Sequence, residues 1–305
     1  MRSLLRFAIV LATCGACSHA PTASAPPVAP SAPPAAASDK VIPLAGGGNA
    51  LWWDAASATL YLTDSNASAL IAWTEAGGLT PVATVPAGTA GVSLGGVVRR
   101  ADGTTIVANF GFGTQGGLFA IAADHTVTAL TGLEPSRRRV GLAQDGGALY
   151  SAYFVGGRGQ ASVGGVARVT ITGGAASETE IAGASTSAGF GKIVGVVATP
   201  GAVFVADQTE KVIWKLALPG FAVSKLASVP SADLLAILPD GDLLTGGGPA
   251  ISRITQAGVV STLPGAAFEQ VRGLAYDPAG QRLFILDHSL TPGSPDQLRI
   301  RPLPR

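Results

Sequence analysis

Six apolar runs recur along the chain at a spacing that few folds admit. LYLTD from Leu60, IVANF from Ile106, LYSAYF from Leu149, VFVAD from Val203, LLTGG from Leu243 and LFILD from Leu283 start 46, 43, 54, 40 and 40 residues apart. Ahead of each lies another short strand that ends in a turn: LWWDAASAT (51–59), GGVVRRADGT (95–104), VGLAQDGGA (140–148), VGVVATPGA (194–202), LLAILPDGD (234–242) and RGLAYDPAGQ (272–281). Asp-Gly and Pro-Gly at these turns supply the backbone angles that tight hairpins need. A strand–turn–strand unit repeated at this period marks a propeller or a solenoid, in which each unit buries its faces against its neighbours.

A third strand follows each pair, as in LIAWTE (70–75) and VIWKLAL (212–218), and a fourth follows that, as in TPVATVP (80–86) and VSKLASV (223–229). The sixth unit reaches Arg305 without a fourth strand, while KVIPLAG (40–46), which has the pattern of a fourth strand, stands alone before the first unit. Pairing it with QLRIRPL (297–303) would leave no orphan sheet edge at the seam. The predicted fold is all-β: a six-bladed β-propeller of four-stranded antiparallel blades, the last closed by an N-terminal strand. Abundant glycine, 13% charged residues and almost no helical periodicity agree with it.

The domain occupies residues 40–305. Before it, MRSLLRFAIVLATCGAC (1–17) sets Arg2 and Arg6 ahead of a short apolar run, the form of an export signal. LATC resembles a bacterial lipobox, so Cys14 is the expected lipidation site and Cys17 the alternative; cleavage after Ala20 would instead release a soluble protein. Residues 18–39, rich in Pro, Ala and Ser, cannot form a core and read as a disordered tether. The expected location is the cell envelope through a lipid anchor, or the periplasm or exterior without one. Loss of Arg2 and Arg6 leaves 18 basic against 19 acidic residues, a net charge of −1, so no basic field for nucleic acid remains. Arg137, Arg138 and Arg139 read as a solvated loop.

Asp64, Asp207 and Asp287 each close a second strand, where a carboxylate accepts backbone N–H bonds from the turn. They read as turn caps. DHS (287–289) has the letters of a hydrolytic triad, but alternate residues of a strand face opposite ways. His125 reads as an exposed turn residue.

A site is expected where the inner strands open onto the channel, at Asn49, Gly95, Val140, Val194, Asp233 and Arg272. Across 49–289 the blades resemble those of the senescence-marker-protein/gluconolactonase family and, more loosely, NHL-type propellers. The resemblance implies a divalent metal at the mouth, held by a Glu, an Asn and an Asp that open three strands, polarising a lactone carbonyl while water attacks. NALWW (49–53) matches the first motif with Asn49 in place of Glu, VGV (194–196) matches the second with Val194 in place of Asn, and DLLAILPDGDLL (233–244) keeps Asp233. Asn49 and Asp233 are thus the candidate metal ligands and Asp233 the candidate catalytic residue. With Arg272 free to pair with Asp233, the residues favour a mouth without a metal or other cofactor; calcium or another divalent cation belongs to the alternative.

Two functions follow. The leading expectation is an exported, lipid-anchored, non-enzymatic binding module whose partner, a protein or small ligand, meets Asn49, Asp233, Arg272, Tyr153 and Arg158 at the mouth, with Phe110, Phe112 and Phe154 on long loops around it. The alternative is a metal-dependent lactonase or related hydrolase using the same mouth.

Overall fold

The structure, a computed structural model, describes residues 39–86, 93–111, 115–156, 161–183 and 189–303. Cys14, Cys17, Phe112 and Arg158 lie outside the described residues, as does all of the tether but Asp39.

Six four-stranded antiparallel sheets make up the domain, each in simple up-and-down order except the last. Their inner strands are Gly48–Asp54, Leu94–Arg99, Arg138–Asp145, Ile193–Thr199, Leu235–Ile237 and Val271–Asp277. Successive inner strands crowd together, and glycine is what allows it. A Cβ on Gly195 would stand 2.4 Å from the Asp233 carbonyl oxygen, and one on Gly141 2.6 Å from that of Val194. Ala50, Leu94, Val140, Val194 and Leu234 join one buried apolar cluster that runs across the starts of the inner strands. The ladder between inner and second strand slips between Gly48 and Leu51, Leu94 and Val97, Arg139 and Gly141, Ile193 and Gly195, and Val271 and Leu274. Bulges of this kind re-aim side chains, and these five fall on the positions expected to open onto the mouth.

The last blade runs Lys40–Pro43, Gln297–Pro302, Arg282–Asp287, Val271–Asp277. Lys40 faces Ile300 and Pro43 faces Gln297, so the displaced strand closes the ring as its pattern predicts. Beside this clasp the Arg301 guanidinium, buried, donates to both Asp39 carboxylate oxygens at 2.8 and 2.9 Å. The seam is packed by Trp53 stacked on Phe284, ring centroids 5.1 Å apart, with Trp73 edge-on to the same ring at 5.5 Å.

Asp64 and Asp207 are turn caps, and more; Asp287 is not, since the Ser289 N–H of its own turn donates to Asp296 instead. Asp64 Oδ1 accepts from the N–H groups of Asn66 and Ala67 in its own turn and from Gly47 in the segment entering the blade. Asp207 does the same with Thr209, Glu210 and Gly191, and Asp287 accepts from Glu269 and Gln270. Each carboxylate therefore staples the way into a blade to its second turn. The arginine cluster is not a solvated loop: Arg139 is fully buried against Glu178 at 2.7 Å, and Arg137 pairs with Glu178 and Glu180. Burial pushes Arg139 below the usual guanidinium range, and the Glu178 charge opposes it.

Candidate functional site at the channel mouth

Antiparallel pairing brings the start of each inner strand and the end of each second strand to one end of the ring. There Asn49 donates from Nδ2 to the Leu94 carbonyl at 2.6 Å, tying the first blade to the second. Asp233 is buried; its Oδ1 accepts from the Leu234 N–H at 3.0 Å, and its own N–H donates to Thr245 Oγ1 at 3.1 Å. Burial pushes the Asp233 carboxyl up to about 6, while Arg272, the Leu234 N–H and Lys192 pull it down. Lys192 is pushed below its ordinary range by burial first, with Arg272 and Arg138 adding to the effect and Asp233 opposing it.

The mouth thus brings Arg272 and Lys192 to Asp233, with Arg138 near Lys192. Among the described residues no ion pair joins Asp233 to Arg272, contrary to the expectation of a neutralising pair. Instead Arg272 Nε donates to Gln270 Oε1 at 3.3 Å, and Lys192 Nζ donates to Gln208 Oε1 at 2.7 Å while lying 5.0 Å from the Phe154 ring centroid.

These residues do not fit a divalent cation. Val194 is in the apolar cluster and offers no ligand atom, Asn49 offers only a neutral amide oxygen, its nitrogen being engaged with a backbone carbonyl, and two cations act on Asp233. Among the described residues no group of three His, Cys, Asp or Glu side chains could hold a metal. A dication would meet one anionic oxygen donor and like charge around it.

Tyr153 is not on the rim. It is 4% exposed, its hydroxyl donates to Glu180, and the Arg137 guanidinium lies 4.1 Å over its ring. Burial first, then the bond to Glu180, raise its pKa. Phe154 is buried too and meets Phe110 edge-on at 5.5 Å. These aromatics cover the blades.

A cleft of about 520 Å³ opens beside the ring of inner-strand starts, and Asn49, Ser93, Arg272, His288 and Asp296 are among its walls. His288 Nδ1 lies 3.0 and 3.1 Å from the two carboxylate oxygens of buried Asp296, which also accepts from the Ser289 N–H at 2.9 Å. An ionised carboxylate can only accept, so Nδ1 is the donor in this contact and Nε2 is the ring nitrogen left outside it. DHS itself is no triad: Asp287 is committed to backbone N–H groups and Arg299, and Ser289 Oγ bonds Glu269. The histidine's partner lies eight residues on, inside the loop. Sequence reading named DHS but missed the pair. The available signal was an Asp at the far end of the long loop that begins with those three residues.

No family model and no curated protein matches the chain. Solved structures do. A gluconolactonase from Xanthomonas campestris superposes with a TM-score of 0.66 at 17% identity, over 86% of this chain and 89% of its own. Regucalcin, a calcium-binding protein from Agrobacterium tumefaciens, gives 0.63 at 15% identity, over 87% and 95%. A catalytically inactive histidine-to-alanine variant of virginiamycin B lyase from Staphylococcus aureus, solved with quinupristin, gives 0.56 at 13%, over 87% and 99%. By fold the molecule is a six-bladed β-propeller of gluconolactonase-like shape.

Proposed function

We propose that the channel mouth opens a lactone or related ester with protein side chains in place of a metal. The observation that carries this reading is the His288–Asp296 pair in a cleft shared with Arg272. His288 Nε2 removes a proton from water as the oxygen attacks the carbonyl carbon. Negative charge gathers on the carbonyl oxygen, and Asp296 stabilises the imidazolium. Collapse breaks the acyl C–O bond, and the imidazolium returns its proton to the leaving alkoxide. The product is a hydroxy acid. Gluconolactonases of the same shape support a lactone as the substrate class. The binding-module reading loses its rim anchors, since Tyr153 and Phe154 are buried.

A panel of lactones and aryl esters tests this. Turnover is expected for at least one, unchanged by EDTA and lowered about 10²–10⁴-fold in kcat by His288→Gln. No turnover across the panel, loss with EDTA, or indifference to His288→Gln would each overturn the mechanism.

A further inference from the structure

This protein pairs its sheltered cations with carboxylates: Arg139 and Arg137 with Glu178, Arg282 with Asp277, Arg299 with Asp287, Arg301 with Asp39. Two at the mouth depart from that habit. Among the described residues neither Lys192 nor Arg272 forms an ion pair, and each hydrogen bonds the neutral amide oxygen of a glutamine. Arg272 spends only Nε on Gln270, so its two terminal nitrogens make no hydrogen bond among the described residues. That pair of donors is the fork that matches carboxylate and phosphate oxygens. Arg138, set over Phe110 and Phe154, adds a third positive charge to the neighbourhood, while Asp233, the carboxylate that acts on Lys192, is buried and held by the Leu234 N–H.

We propose that Lys192 and Arg272, with Arg138 beside them, form an oxyanion site, so that the molecule taken at this mouth is an ester or lactone carrying a carboxylate or phosphate group. The acid group replaces the glutamine amides as the principal partner of the cations and orders the ester end in the cleft along which Arg272 lies. The word ester rests on the hydrolytic reading above; the oxyanion site does not, because binding alone reads it out.

The test is calorimetry on the full chain with inorganic phosphate and with malonate, at ionic strength held constant with chloride. Saturable binding of at least one anion is expected, phosphate alone pointing to a phosphorylated molecule and malonate to a carboxylate. Lys192→Met and Arg272→Gln should each weaken it about 10-fold or more, the effect of losing one charge-assisted hydrogen bond. Lys225→Gln, at an exposed outer strand, should leave it unchanged, and so should His288→Gln even where that variant abolishes turnover. In the wild type, affinity should fall as salt rises, a measurement that needs no variant. Absence of saturable binding for both anions, equal weakening by Lys225→Gln, or salt-independent affinity would overturn the proposal. Anion binding without turnover would instead count against the hydrolytic step alone.

Discussion

Burial and two cations pull the Asp233 carboxyl in opposite directions, and burial prevails, leaving it at about 6 against an ordinary 3.8. The folded state therefore holds this proton more tightly than the unfolded chain does. Stability from the group is complete below about pH 4 and is lost as pH rises through about 6. Asp233→Asn keeps an acceptor for the Leu234 N–H and removes the buried charge. It should melt above the wild type at pH 7.5, by an amount worth about 1–3 kcal/mol, and the gap should close by pH 4. Melting curves across that range check it; a gap that widens toward acid would contradict the assignment. Residues at repeated positions were legible in the sequence: Asp64 and Asp207 could be read as caps because the repeat aligned them, although Asp287 at the same position bonds, among the described residues, only the segment entering its blade and Arg299. Tyr153 and Arg139 could not, since what buries them are Glu180 and Glu178 on an outer strand, set by cross-strand register rather than by spacing. His288 and Asp296 sit in a long loop whose residues do not repeat in the long loops of the second and third blades, so no alignment within the chain could bring them together.

Among the elements, the clasp strand Lys40–Pro43 does most for its length. It supplies the outer edge of the last blade, and Asp39 just before it holds Arg301. Removal of residues 1–38 should leave a folded domain with its melting temperature intact. Removal through Gly46 should strip the edge from Gln297–Pro302, leave the Arg301 guanidinium without its carboxylate, and promote aggregation through the exposed strand. Thermal melts and light scattering on the two truncations decide it; equal behaviour would refute the clasp. This element was readable because a strand with no neighbour in sequence needs one in space. The bulges that aim the mouth residues were not, since nothing in a local apolar pattern marks where a ladder slips. The fifth blade was recognised as a blade, although its four strands are three residues each.

For the whole molecule, fold was far more legible than chemistry. A period repeated six times over-determines a ring, whereas a site depends on a few side chains that the same ring can exchange freely. The leader and the tether rich in proline, alanine and serine support a proposal of export with a lipid on Cys14. Metabolic labelling with a palmitate analogue should then mark the protein, and Cys14→Ala should move it to the soluble fraction; unlabelled protein beginning at Pro21 would mean simple secretion. The clasp also sets a timetable. Asp39 and Arg301 are 262 residues apart, so while the chain is being made the strand Lys40–Pro43 has no partner until almost the whole propeller has followed it. Contacts of such long range form late and slowly. A chain still lacking its finished ring can be threaded through a narrow pore, so under the proposed export the feature that makes the folded ring seamless would also postpone its completion until after passage.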